Sequence, residues 1–128
     1  MTNPRPDSIA EVARRADTHE AFHMAFKDFL HELRVHADPE SIREMPALLA
    51  GKMEDGQKFD AYLAASALFL ARKYDWEPPD WVYHQNRFLR RPWFLMEGPK
   101  IRNLLIMESP PEFRERNIFV SENALEAV

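Results

Sequence analysis

The chain contains no cysteine and only three glycines. The first absence excludes disulfides, thiol catalysis and cysteine-ligated zinc. The second, with Gly51 and Gly56 both in the stretch 51–57, leaves no glycine-rich loop to cradle a phosphate. No apolar run approaches the ~20 residues that span a bilayer. The first twenty residues are polar, without the apolar core of a signal peptide, so a cytoplasmic location away from membranes is expected. Serine-nucleophile motifs, internal repeats and low-complexity tracts are missing too. What is present is a hydrophobic fraction of 45% and a charged fraction of 30% over 128 residues, as expected for one helical domain spanning 1–128. Residues 1–6 read as a loose N-terminal arm and 51–57 as the main loop.

A net charge of −4 opposes general nucleic-acid binding, whose affinity comes mostly from phosphate neutralisation. The charge is uneven. Residues 1–60 hold 8 basic and 12 acidic side chains, whereas 84–116 hold 7 basic and 4 acidic. The basic part therefore offers either an internal docking face for the acidic half or a surface for a partner.

All three tryptophans, Trp76, Trp81 and Trp93, fall between Tyr74 and Phe94. Tyr83, Phe88, Arg87, Arg90 and Arg91 stand in the same stretch. Large rings seal small cores and also anchor interfaces. Trp76 and Trp81, next to Pro78 and Pro79, read as core seals. Residues 87–94 read as the place for exposed rings.

Apolar spacing places the helices. Asp7 or Ser8 caps a short first helix carrying Ile9, Val12, Ala13 and Ala16. Asp17 with Glu20 resembles a capping box for a second, from Thr18 to about His36, striped by Phe22, Ala25, Phe26, Phe29, Leu30 and Leu33. Asp38–Pro39 restarts a helix with Ile42, Met45, Leu48 and Leu49 on one face, interrupted or kinked at Pro46. Residues 58–74 are apolar almost all round, the mark of a buried central helix. Gly98–Pro99 opens another through Met107, with Ile101, Leu104, Leu105 and Ile106 inside. Ser109-Pro110-Pro111-Glu112 reads as a capped start with Glu112 closing a capping box. Ile118–Val120 resembles a strand without a partner, and Ser121 caps a last turn over 122–127. The fold class is all-α, a compact bundle of about five or six helices around 58–74.

Candidate chemistry is sparse. His19, His23, Lys27 and His31 share one helix face, and four-residue His spacing suits a metal ligand pair. They lie opposite the phenylalanine stripe and read as a solvated face. A metal or acid–base enzyme on His19, His23 and His31 is the third-ranked function. His84 has no nucleophile or paired acid near it in sequence. Asp75, Glu77 and Asp80 read as turn and cap residues around the prolines. The arginines admit three uses: ties to the core through cation–π contacts, a protein-binding surface, or nucleic-acid contacts.

From Phe59 onward the order is distinctive: an alanine-rich helix, Pro79-x-Trp81, Trp93–Phe94, a leucine-rich helix with Leu104, then Ser109-Pro110, Phe113-Arg114, Arg116 and Ile118-Phe119-Val120. This succession resembles a small, poorly characterised bacterial helical module found beside nucleotidyltransferase-like proteins or joined to helix-turn-helix regulators. The resemblance covers a little over half the chain. It implies an antitoxin-like or regulatory partner protein, not a known activity. Residues 1–57 lack the glycine-containing tight turn of a helix-turn-helix, so operator binding is not carried over. The expected function is a non-catalytic protein-binding or regulatory subunit, with no cofactor. Its partner-binding residues are Trp81, Arg87, Arg90, Arg91, Trp93, Phe94, Arg114 and Arg116. The alternative is a nucleic-acid-associated regulator using the basic 84–116 region.

Overall fold

The computed structural model describes residues 4–126. The first helix, α1 (Ile9–Arg15), starts at Ser8, whose Oγ accepts the Glu11 amide at 3.1 Å. Helix α2 (His19–Val35) starts at Thr18, whose hydroxyl accepts the Ala21 amide at 3.0 Å. The cap is thus Thr18 and not the expected Asp17. The phenylalanine stripe of α2 is buried as the spacing predicts.

Asp38 caps only one 3-10 turn, Pro39–Ile42. The expected continuation to Leu49 does not form, because Pro46 supplies no amide and blocks the turn before it. Residues 43–49 instead run irregularly across the start of α3 (Gly56–Lys73). Ile42 and Leu49 point inward from this strap, while Met45 and Leu48 are exposed. The strap lies so close that a Cβ on Gly56 would sit 2.0 Å from the Leu49 carbonyl oxygen. Glycine is required there by space rather than by backbone angle.

Helix α3 is the predicted centre. Ala61, Ala64, Ala65, Ala67 and Ala71 have no exposed surface, and their small side chains let neighbouring segments approach closely. One core cluster joins α1, α2, α3, the Trp81–Val82 turn and Phe113, Ile118 and Val120. The fold is all-α.

After α3 the chain makes two 3-10 turns, Asp80–Tyr83 and Gln85–Arg87, then a short strand β1 (Trp93–Phe94). Helix α4 (Pro99–Glu108) and the single turn α5 (Pro111–Arg114) lead to β2 (Ile118–Phe119). The Ile118 strand, expected to stand alone, pairs in parallel with β1 in the register Trp93↔Ile118 and Phe94↔Phe119. Ser109 does not cap α5. Its buried hydroxyl donates to the Leu105 carbonyl and accepts the Val120 amide at 2.9 Å, fastening the end of α4 to the exit of β2. Glu112 is likewise paired with Arg72 at 2.7 Å and closes no capping box. Only Leu105 of α4 is buried, so the expected burial of Ile101, Leu104 and Ile106 fails. The chain after Ser121 turns at 122–125, and Ala127 lies outside the described residues. Among the described residues no helix is long and apolar enough to cross a membrane.

Candidate functional site

The segment 84–94 is held from beneath by two arginines. Arg87, in the 3-10 turn Gln85–Arg87, is wholly buried. Its guanidinium donates to the Pro46 carbonyl at 2.7 Å and to the Asp60 carbonyl at 3.3 Å, and stands 3.7 Å from the Asp60 carboxylate. Its plane lies over Trp81, 5.0 Å from the ring centre. Asp60 completes the joint by accepting the Leu49 and Ala50 amides at 2.7 and 3.1 Å. One buried ion pair therefore ties α3, the 43–49 strap and the aromatic segment together.

Electrostatics follow from this burial. Desolvation pushes the Asp60 carboxyl above its ordinary value, against the opposing pull of the Leu49 and Ala50 amides and of Arg87. Desolvation lowers Arg87 as well, partly offset by Asp60. Arginine still keeps its charge at neutral pH.

Arg116 makes the second joint. Its guanidinium donates to the Val82 carbonyl at 2.6 Å and the Glu112 carbonyl at 3.0 Å, and lies 4.4 Å from the centre of the Phe88 ring. The neighbouring backbone continues the seam: the Leu89 amide donates to the Arg116 carbonyl at 3.3 Å, and the Trp93 amide to the Asn117 carbonyl at 2.8 Å. Asn117 takes a left-handed conformation (φ 63°) and donates through its side chain to the Leu89 carbonyl at 2.9 Å.

Between these joints the outer surface forms an open groove of ≈ 1020 Å³. Lys58 and Gln57 from α3 form one wall, with Leu48 and Ala50 of the strap beside them. His84, Phe88, Arg90 and Arg91 are among the residues of the other wall. Asp60 is the only carboxylate in the lining, and it is buried against Arg87. Arg90 and Arg91 are exposed and have no carboxylate within 4.0 Å among the described residues. Lys58 is shared between Asp55 (3.7 Å) and the Trp93 ring (5.6 Å).

The eight residues expected to meet a partner therefore divide. Trp81, Arg87 and Arg116 are interior, and a partner cannot touch them in this fold: Trp81 donates its indole N–H to the Ile42 carbonyl at 3.1 Å, and each guanidinium donates from its two terminal nitrogens to backbone carbonyls, while its Nε is buried with no partner among the described residues. Arg90, Arg91 and Arg114 are exposed. Trp93 and Phe94 are half-buried. Trp93 packs edge-on to Phe59 at 5.3 Å, and Phe94 stacks on Phe119 at 4.7 Å with Arg102 over it. Arg90 and Arg91 share the groove; Arg114 is not in its lining. Trp76, expected as a core seal, is half-buried and stacked on Tyr74.

The histidine face stays at the surface, with His23 exposed and His19 and His31 half-buried. His19 sits 3.4 Å from the Asp55 carboxylate and edge-on to Phe59, and His23 also leans on Phe59. Burial, with a smaller contribution from His19, lowers the His23 pKa. His31 is in neither contact. Among the described residues no three His, Asp or Glu side chains converge to hold a metal.

The chain matches no protein-family model, no curated protein and no solved structure closely enough to carry an inference. The groove must be read from its own chemistry. Sequence reasoning missed its α3 wall, Gln57 and Lys58, and its ion-paired floor. One signal was available: Asp60 is a lone acid in an otherwise apolar helix face between Phe59 and Ala61, and a buried carboxylate requires a partner.

Proposed function

We propose that this protein is a non-catalytic protein-binding subunit, regulatory or antitoxin-like in kind, whose groove takes an acidic segment of another protein. The observation that carries the reading is the pair Arg90 and Arg91, exposed and unmatched by carboxylates among the described residues, beside the exposed ring of Phe88. The groove supplies cations, amide donors (Gln57, Gln85, Asn86) and apolar contacts from Leu48, Phe88 and Pro92. That combination suits a chain bearing carboxylates around one apolar anchor. A long polyanion fits less well. Surface charges are felt over about 8 Å at physiological salt. A nucleic acid running beyond the groove would meet a protein whose net charge is −4.

The resemblance of the sequence from Phe59 onward to modules encoded beside nucleotidyltransferase-like proteins makes the product of an adjacent gene the first partner to test. Co-purification with that product, followed by calorimetry with its acidic segments, should give binding that weakens with salt and is lost in Arg90→Glu/Arg91→Glu. Unchanged binding in the double variant would remove the groove from the interface. Salt-sensitive binding of a single-stranded oligonucleotide, with no protein partner recovered, would favour the nucleic-acid alternative.

A further inference from the structure

Of the lysine and arginine side chains in the groove lining, only Lys58 has a carboxylate within 4.0 Å among the described residues. That carboxylate belongs to Asp55, which is not itself in the lining. Asp55 stands at the N-cap of α3, where an aspartate ordinarily accepts a backbone amide of the first turn. Here it accepts none. Its backbone is left-handed (φ 58°), and its side chain makes no cap hydrogen bond. The carboxylate is divided between two neighbours instead. One oxygen lies 3.7 Å from the Lys58 ammonium and the other 3.4 Å from Nε2 of His19.

Nε2 of His19 is also 3.2 Å from the Glu54 carbonyl oxygen. A carbonyl only accepts, so Nε2 carries the hydrogen, and the proton that turns the ring into a cation enters at Nδ1. The groups facing the ring come from three elements. The loop before α3 supplies Asp55 and the Glu54 carbonyl. Helix α3 supplies Lys58, on the far side of Asp55, and the Phe59 ring, edge-on at 4.9 Å. His23 stands near it on its own helix. Asp55 favours the added proton, whereas Lys58 and a protonated His23 oppose it.

The consequence follows from the charges. With His19 neutral, Asp55 and Lys58 cancel. With His19 protonated, the imidazolium balances Asp55, and the charge of Lys58 is left over on the groove wall beside the Trp93 ring. We infer, on the groove reading given above, that Asp55 holds Lys58 back from the groove and that a proton on His19 releases it, so that the groove grips an acidic segment more tightly as pH falls. Imidazole is the side chain whose charge changes between about pH 5 and 8, whereas the carboxylates of the segment stay ionised in most of that range. Exposed ion pairs are worth a factor of about two to five, which makes His19 a modulator of the groove rather than a gate.

Two measurements on the full chain test this. NMR of the His19 ring against pH reads the coupling without a partner. Lys58→Gln should raise the titration midpoint and Asp55→Asn should lower it, each by roughly 0.2–0.7 of a pH unit. Lys73→Gln, about 22 Å farther along α3, should leave it unchanged. A midpoint indifferent to both Asp55→Asn and Lys58→Gln would overturn the inference. Calorimetry at about pH 8 and about pH 6, on either side of the imidazole range, reads the groove itself. The probe is a synthetic peptide of one leucine flanked on each side by three glutamates. Every protein compared carries His84→Gln, because His84 lines the groove and is itself an imidazole. Binding should tighten about two- to fivefold at the lower pH. The gain should vanish in His19→Gln and in Lys58→Gln, and Asp55→Asn should bind at the higher pH as tightly as its parent does at the lower. Binding that depends on Arg90 and Arg91 but is equal at the two pH values would sink the inference and leave the groove reading in place. A gain that survives His19→Gln would do the same. No binding of the peptide at either pH would remove both.

Discussion

Arg87 and Arg116 have no exposed side-chain surface, whereas Arg90 and Arg91, three and four residues beyond Arg87, stand in water. All four lie within the basic region of an acidic chain. The two buried arginines work as joints. Each guanidinium spans carbonyls from separate segments, and each lies over an aromatic ring that replaces part of its lost hydration. The exposed pair touches no carboxylate among the described residues and projects from the surface those joints hold in place. A basic segment can contain its own scaffold: of these four arginines two organise the backbone and two stay exposed.

The largest effect should come from removing the joint that holds a second charge. Arg87→Ala leaves the Asp60 carboxylate buried without its counter-ion and frees the carbonyls of Pro46 and Asp60. Breaking a buried pair from one side costs about 3–5 kcal/mol. That is a large share of the roughly 5–15 kcal/mol that holds a small domain folded. Urea unfolding at neutral pH measures it. The pH dependence identifies the cause. Burial already raises the Asp60 pKa in the folded state, so its proton-linked stability is fully present below 3.8, the ordinary carboxyl value, and is lost as pH rises through the folded value. Loss of Arg87 raises the folded value further. The deficit of Arg87→Ala should therefore be greatest at neutral pH and shrink on acidification toward 3.8. A deficit that stays flat with pH would mean that Asp60 is not the group left exposed to the loss.

Arg116→Ala supplies the contrast. Among the described residues Arg116 has no buried carboxylate within 4.0 Å; the one within that reach, on the exposed Glu115, is 3.8 Å away. Its removal strands the carbonyls of Val82 and Glu112, at about 1–3 kcal/mol for a buried unsatisfied group. The loss should be smaller than for Arg87 and should not vary between neutral pH and 3.8. If the two variants behave alike, the ion pair contributes nothing beyond the carbonyl contacts.

Helices were legible where one physical signal dominated. The phenylalanine stripe of α2 and the all-round apolar character of α3 placed both helices within two residues, and of the two candidate caps Asp7 and Ser8 it is Ser8 that starts α1. Contacts between distant segments were not legible. Pairing of Trp93–Phe94 with Ile118–Phe119 joins residues 25 apart, as the register Trp93↔Ile118 fixes, through backbone groups that carry no side-chain signature. The serine at 109 has the spacing of a cap yet serves β2. Apolar content misled at α4, where Leu104 and Ile106 matched the pattern of a core helix but face solvent. Arginine was the least readable residue of all: nothing in the spacing of Arg87, Arg90 and Arg91 separates joint from surface, because the difference is made by Asp60 and the Pro46 carbonyl, 27 and 41 residues away from Arg87.

The smallest effect on stability, and the sharpest division between the two kinds of arginine, is expected from Arg90→Glu/Arg91→Glu. Neither side chain spans two segments, and neither has a carboxylate within 4.0 Å among the described residues. Exposed charges of this kind contribute little to folding. The urea midpoint should match the wild type, and the far-ultraviolet spectrum should be superimposable. Binding of an acidic partner should nonetheless be lost, because reversing two charges turns attraction into repulsion at the groove rim. Raising the salt concentration should weaken wild-type binding and leave the residual binding of the variant almost unchanged, since screening acts only on the interaction that was removed. A variant that unfolds more readily would place Arg90 and Arg91 with the joints. A variant that is stable and binds like the wild type would leave the groove as relief without a role, and the partner would have to be sought on another face.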